Sequence, residues 1–391
     1  MTSLPKILIV DDEPFNIDYL EQELEGSDYE TLSASNGKEA LETVHTGVPD
    51  LILLDIMMPI MDGFEVLSQL KADPFTRNIP VIIISANNDQ KSIVRGIQLG
   101  AEDYLPKPFE PTLLHARVTS SLEKKHLRDL EQLYTKSMEK ELEIAREIQL
   151  DFLPTRLPVP NGWDIAAYFK AAREVAGDFY DVFCLPNDQI MFFVGDVCGK
   201  GIGAALFMTL YTSLIRAAAT TNHFSGSLEA QQLRPSEPVK RAILCTNAYI
   251  TATHADARFS TVFIGQIDLK DGKLTYMNCG NEPAFLLRAD GSLTQLAPTG
   301  PVVGLFPEAR FSIGQLTLEK SDLLLVYTDG ITDTLDGEDN SYGKERLLRV
   351  ITESKPTCDQ LLGNIVNHAN GFAGGVEQFD DITMLAIKRL V

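Results

Sequence analysis

Five short apolar runs alternate with helix-length stretches across residues 1–121: Lys6–Val10, Tyr29–Ala34, Leu51–Leu54, Val81–Ser85 and Asp103–Leu105. Strands that alternate with helices cannot pair through tight hairpins. They return in parallel, and both faces of the sheet become covered. The pattern therefore predicts an α/β doubly wound sheet of five parallel strands. Such a sheet gathers its chemistry at the C-terminal ends of its strands.

The rest of the chain is patterned differently. Residues 122–153 contain no Pro and no Gly, and good helix formers dominate with charges of both signs mixed. Leu127, Leu130 and Tyr134 sit at helical spacing, as do Met138, Leu142 and Ala145, while Ser137 and Glu141 interrupt a common heptad register. We expect a long connecting helix ended by Pro154 and Pro158, either a solvated spacer or a dimerising, imperfect coiled coil. In residues 154–391, Asp271-Gly272 and Asp290-Gly291 sit between alternating segments, as hairpin turns do. Helical stretches are expected near Ala204–Thr220 and Pro238–Thr253, and apolar strands at Ile190–Gly195, Leu323–Tyr327 and Ile382–Ile387. This segment predicts an α+β domain of antiparallel sheets with helices. The polar stretch Thr221–Pro235 reads as a loop.

A chain of 391 residues is long enough for about two or three domains. Its net charge is -21, divided as -12 over residues 1–121, -2 over 122–153 and -7 over 154–391. That field disfavours nucleic acid and anionic membranes and suits metal cations. Five scattered cysteines without a CxxC pair give no disulfide framework and fit a reducing compartment. No run approaches 18 uncharged apolar residues, and the N-terminus reaches Asp11 and Asp12 too soon for a signal peptide. The expectation is a soluble cytoplasmic protein with no membrane span.

Carboxylates punctuate the strand ends of the first segment. Asp11 and Asp12 follow the first strand, Asp55 ends the third, Ser85 ends the fourth and Lys107 follows the fifth. An Asp after a strand is often only a turn or a helix cap. Four strand ends converging on one crevice are more specific. Clustered carboxylates suit Mg²⁺, and a carboxylate beside that metal can attack a phosphoryl group. A hydroxyl and an ammonium can then hold the new phosphate oxygens. With the run Met58-Pro59-Ile60-Met61-Asp62-Gly63, the set resembles the receiver domain of bacterial response regulators. The resemblance implies that Asp55 is the phosphoacceptor, served by a histidine kinase or phosphotransfer protein. It also implies Mg²⁺ held by Asp12, Asp55 and the main-chain carbonyl of Met57, with Asp11 acting through water. Tyr104 falls at the family's switch aromatic.

Four acidic clusters recur in the second half: Asp178 with Asp181, Asp196, Asp329 with Asp333, and Asp380-Asp381. Acids at strand ends are costly unless they share a positive charge. Two divalent cations would supply it and would activate a water for attack on phosphorus. Oxygen-only ligands favour Mg²⁺ or Mn²⁺. Gly195–Gly203 lacks the spacing and ending of a P-loop. Cys198 has no Arg six residues on, so a thiol-based phosphatase is disfavoured, and all five cysteines read as buried small residues. None of the six His has a partner spaced as in a zinc site or a triad.

These motifs, with EIAREIQLDFLP from Glu143, AREVAGDFYD, GDVCGKGIGAAL, YTDGITD and FDDITMLAI, resemble the PPM-type serine/threonine phosphatases in their SpoIIE/RsbU-like branch. The resemblance implies two antiparallel sheets flanked by helices and two Mn²⁺ or Mg²⁺ ions. Asp196 would bridge the metals, the Val197 carbonyl would bind one, and Asp178 would hold the other or its waters. Asp329 and Asp380 would complete the shell. Asp181, Asp333 and Asp381 are candidates for water-mediated or third-metal contacts, and Arg173 for the substrate phosphate. The branch usually carries Ser at Cys198 and His at Asn281, neither a ligand position.

The implied organisation is a receiver over 1–121, a helical linker over 122–153 and a phosphatase domain over 154–391. The implied function is a response regulator that dephosphorylates a partner protein, typically a small anti-sigma factor antagonist, within a homodimer. The rival is a catalytically silent phosphatase fold that sequesters a sigma-factor regulator. Such a scaffold should have lost some of Asp178, Asp196, Asp329 and Asp380, and all four are present.

Overall fold

The alternating N-terminal pattern folds as it predicts. In a computed structural model describing residues 4–26, 28–86, 90–220, 238–254, 259–353 and 357–391, the chain divides into two units, Met1–Glu139 and Lys140–Val391. The Thr221–Pro235 stretch lies outside the described residues.

The first unit contains β1 (Lys6–Val10), α1 (Pro14–Leu24), β2 (Glu30–Ala34), α2 (Gly37–Gly47), β3 (Leu51–Asp55), α3 (Gly63–Ala72), β4 (Val81–Ala86), α4 (Gln90–Gln98), β5 (Asp103–Lys107) and the start of α5 (Pro111–Leu150). Its strands lie in the order β2-β1-β3-β4-β5, and every neighbouring pair is parallel. Successive side chains serve opposite cores. Leu8, Val10, Ile52 and Leu54 pack with Ala40, Val44, Val66 and Leu67 of α2 and α3. Ile7, Ile9, Leu51 and Leu53 pack with Leu20 and Leu24 of α1 and Leu114 and Val118 of α5. Because both faces are buried, the strands read as continuous apolar runs. The strand order reverses between β1 and β3, which places the ends of those strands at the crevice.

Helix α5 begins at Pro111, so the helix expected over 122–153 continues the element that packs on the sheet. Along it Leu127, Leu130, Leu133, Tyr134 and Met138 are exposed.

Beyond α5 come β6 (Trp163–Lys170), β7 (Asp178–Leu185), β8 (Gln189–Val197), α6 (Ile202–Thr220), α7 (Pro238–Thr253), β9 (Ser260–Asp268) and β10 (Lys273–Cys279). Then follow β11 (Ala284–Leu287), β12 (Leu293–Leu296), β13 (Gly314–Thr317), β14 (Leu323–Tyr327), a 3₁₀ turn (Asp329–Ile331), α8 (Gly343–Glu353), α9 (Cys358–Ala373) and β15 (Ile382–Arg389). Two five-stranded antiparallel sheets result, β13-β10-β9-β8-β7 and β12-β11-β14-β15-β6. The two Asp-Gly hairpin turns form where expected, with φ of +76° at Gly272 and +89° at Gly291.

Period-two alternation sorts each strand between layers. Phe192, Val194, Leu324 and Val326 fill the space between the sheets. Met191 and Phe193 pack against Met208, Tyr211 and Ile215 of α6 and Ile243 of α7. Leu323, Leu325 and Tyr327 pack against Leu347 and Ile351 of α8 and Leu361 and Ile365 of α9. The unit is thus layered helix, sheet, sheet, helix. Helix α6 is long and apolar enough to cross a membrane, with a mean hydropathy of 1.4, but half of that window is buried in this core.

The cysteines correct one expectation. Cys245, Cys279 and Cys358 are buried, whereas Cys184 and Cys198 are exposed. Cys184 lies on β7, the edge strand of its sheet, and Cys198 lies in the loop after β8.

Candidate functional site

Each unit gathers its acids at strand ends. In the first, carboxylate oxygens of Asp11, Asp12 and Asp55 all lie within 4.8 Å of one another, a spacing that fits one hard cation. Asp11 is fully buried and held from several sides. Its Oδ1 accepts from the Glu13 amide at 3.0 Å and from Asn16 Nδ2 at 2.9 Å. Lys107 Nζ donates to Asp11 Oδ2 and to Asp55 Oδ2, both at 2.9 Å. Burial raises the Asp55 pKa, hydrogen bonding and charge from Lys107 lower it, and Asp11 raises it again, for a net upward shift. A carboxylate in that balance gains from a divalent cation.

Ser85 is 5% exposed, and its Oγ has no hydrogen-bond partner. Asp55, Ser85 and Lys107 sit at the ends of adjacent strands, so an unpaired hydroxyl, an acid and an ammonium share one rim. That arrangement fits a phosphoryl group carried on Asp55. Gly63 is required beside it, because a Cβ there would lie 2.2 Å from the Asp55 carbonyl oxygen. Asp62 caps α3 by accepting from the Glu65 amide at 2.8 Å. The Met57 side chain is exposed, and its backbone amide faces Asp55. Tyr104 is half-buried on β5, with the Arg117 guanidinium 5.1 Å from its ring centroid and Arg117 also paired to Asp103.

In the second unit Asp178 begins β7 and stands opposite Asp196 near the end of β8. Asp178 is 2% exposed, and its Oδ2 accepts from Thr328 Oγ1 at 2.7 Å and Thr383 Oγ1 at 2.6 Å. Burial, then the charges of Asp196 and Asp381, push its pKa well up. Burial, then Asp329, Asp380 and Asp381, push Asp196 up to about 7. Asp329 and Asp333 are also shifted up, by burial of the carboxyl and by neighbouring acids. Charge repulsion links Asp178 to Asp196, Asp196 to Asp329 and Asp380, and Asp329 to Asp380. Among the described residues no three of their oxygens lie within 4.8 Å of one another, so the set is wider than one ion's shell.

The remaining candidates separate. Asp181 does not join the cluster: three residues after Asp178 on a strand, it points to the other face and pairs with Arg216 of α6. Both oxygens of Asp381 serve a loop, Oδ1 accepting from the Ala172 amide at 2.8 Å and Oδ2 from the Gly177 amide at 2.7 Å. That loop carries Arg173, which is exposed. Gly177 gives the loop its close approach, since a Cβ there would lie 3.0 Å from the Val197 carbonyl oxygen. Asn281 is 4% exposed and donates from Nδ2 to the Tyr327 carbonyl at 3.0 Å, tying the strand end that leads into Thr328 and Asp329.

Two residues escaped the sequence reading. Glu282 adds charge against Asp329 and Asp333 and pairs with Lys344 at 2.6 Å. Lys200 lies 3.2 Å from Asp380 Oδ2. Lys200 lies within the Asp196-bearing run GDVCGKGIG, but nothing in that run points to Asp380, and Glu282 lies in no Asp-bearing motif, so only the fold brings their charges to these acids.

Comparison with known proteins assigns a family to each unit. Residues 186–390 match the family described as Stage II sporulation protein E (SpoIIE), and residues 7–119 match the response regulator receiver domain. Protein IcfG of Synechocystis sp. is 38% identical over 262 residues, covering 64% of this chain and 41% of IcfG. Response regulator PleD of Caulobacter vibrioides is 45% identical over 115 residues, 29% of this chain and 25% of PleD. The chain therefore spans less than half the length of these curated relatives. In fold, the second unit is similar to the SiaA-PP2C domain of Pseudomonas aeruginosa, with a TM-score of 0.53, 20% identity, and coverage of 65% of this chain and 98% of that one. The chain belongs to the SpoIIE family, with a PPM-type phosphatase domain that follows a response regulator receiver domain.

Proposed function

We propose that the chain is a two-component response regulator whose output is metal-dependent dephosphorylation of phosphoserine or phosphothreonine on a partner protein. The observation that carries this reading is the opposition of Asp178 and Asp196 within a set of acids whose pKa values are raised by burial and by one another. Such a set is stabilised by cations, and the oxygen donors suit Mn²⁺ or Mg²⁺. Asp196 with the Val197 carbonyl, Asp178, Asp329 and Asp380 would hold two ions. When bound, they supply an activated water and neutralise the phosphate. The chain's own residues do the rest. Thr328 and Thr383 fix one oxygen of Asp178. Asp381 pins the loop on which Arg173 would meet two phosphate oxygens.

Control would come from the receiver. Asp55 would accept a phosphoryl group from a histidine kinase or phosphotransfer protein, with Mg²⁺ on Asp12, Asp55 and the Met57 carbonyl and Asp11 acting through water. Ser85 and Lys107 would hold its oxygens, and Tyr104 would report the change. The added charge of about 1.5–2 units would act through the 122–153 linker within a cytoplasmic homodimer, in the activating direction. The exposed Leu127, Leu130 and Tyr134 support a dimer seam. The substrate in this reading is a small anti-sigma factor antagonist.

The test is Mn²⁺-dependent release of phosphate from a phosphoserine-bearing protein. Asp196→Asn should lower it about 100-fold or more, since even outer partners of a metal site cost 10–100-fold. Full activity in that variant would overturn the reading. Binding of the phosphoprotein without any turnover would favour the silent scaffold.

A further inference from the structure

Lys200 lies in the loop between β8 and α6, flanked by Gly199 and Gly201 with φ of +101° and +77°. Three contacts hold its ammonium to the segment before β15. Nζ lies 3.2 Å from Asp380 Oδ2 and donates to the Phe379 carbonyl at 2.9 Å. It also lies 3.8 Å from the centroid of the Phe379 ring, within cation–π range. Lys200 is thus a counter-charge built into the acidic cluster, and the side chain of Phe379 holds it there.

An ammonium on Asp380 and a divalent cation on Asp380 are like charges competing for one carboxylate. Both cannot keep close contact without strong repulsion, because the site is partly shielded from water. We infer that Lys200 competes with metal for Asp380 and thereby sets the affinity of the metal site on that side. This rests on the reading of Asp380 as a metal ligand. It adds that metal must displace a resident cation, so occupancy depends on Lys200 and Phe379 as well as on the acids.

Isothermal titration of the full chain with Mn²⁺ tests it. The receiver's ion contributes equally to every variant. Lys200→Met keeps the aliphatic stem over the ring and removes the charge. It should tighten the weaker phosphatase site about tenfold or more, within the range seen for groups that support metal ligands. Lys200→Arg keeps a cation and should stay near the wild-type affinity. Phe379→Leu removes the ring contact but leaves the backbone carbonyl and Asp380, so it loosens the ammonium and should tighten the same site by a smaller factor, which provides a second measurement should Lys200→Met fold poorly. An unchanged or weakened affinity in Lys200→Met and Phe379→Leu would overturn the inference. Asp380→Asn separates the two claims. If it keeps that site at full affinity, Asp380 is not a ligand and the reading beneath the inference fails. If it loses the site while Lys200→Met changes nothing, only the competition fails.

Discussion

Asp178 and Asp196 stand directly opposite each other on the antiparallel strands β7 and β8. Like charges in that position destabilise a strand pair unless a cation or a proton intervenes. Asp196, raised to about 7 from an ordinary 3.8, keeps a proton in the folded chain that the unfolded chain has released. Stability of the metal-free protein therefore falls as pH rises through that window and levels off above it. In EDTA the melting temperature of the phosphatase domain should drop between pH 5 and pH 8. Added Mn²⁺ should raise it more at pH 8 than at pH 5, where protons compete with metal. A flat metal-free profile across that range would contradict the geometry.

The hydroxyl of Thr383 is one of two donors to Asp178 Oδ2. Thr383→Val removes a hydrogen bond to a charged group, worth about 1.5–3 kcal/mol. Because it also frees the carboxylate to turn, Mn²⁺ affinity should weaken by about tenfold. Titration calorimetry alongside thermal melts separates the two effects. A stability loss with unchanged affinity would mean that Asp178 is structural.

Much of this site is readable from sequence, for a physical reason. Acids at the ends of apolar strands are conspicuous, and Asp178, Asp196, Asp329 and Asp380 each stand at or beside one. What the sequence leaves open is which acids converge. Asp181 follows Asp178 by three positions, an odd offset that turns it to α6 and Arg216. Lys200 and Glu282 enter only because β8, β11 and β15 meet at one end of the sandwich. Helix α5 shows the same limit. Nothing in its pattern marks a break near residue 121, because the receiver's last helix and the linker form one uninterrupted helix from Pro111 to Leu150. Helices α8 and α9 also went unread, being amphipathic stretches enclosed between strands.

In the receiver, Ser85 presents a buried hydroxyl with no partner. Ser85→Ala should leave stability within about 1 kcal/mol, since no hydrogen bond is lost. It should slow labelling by a small phosphodonor at least about tenfold, as loss of a preorganised donor does. Asp55→Asn should abolish labelling. Undiminished labelling in Asp55→Asn would remove Asp55 as the phosphoacceptor.

Leu142 lies in the interior of α5. A proline there costs about 3 kcal/mol and breaks the helix. Leu142→Pro should leave receiver labelling intact and keep basal phosphatase activity, yet remove any response of that activity to the phosphorylated receiver. Regulation that survives the substitution would show that the signal does not travel through this helix.

The most direct test of a phosphorylation-controlled, metal-dependent phosphatase joins both sites in one assay. Hydrolysis of p-nitrophenyl phosphate would be followed in Mn²⁺, with and without beryllofluoride as a mimic of phosphorylated Asp55. The account predicts a Mn²⁺-dependent rate that beryllofluoride raises, and no such rise in Asp55→Asn. A Mn²⁺-dependent rate indifferent to beryllofluoride would contradict it.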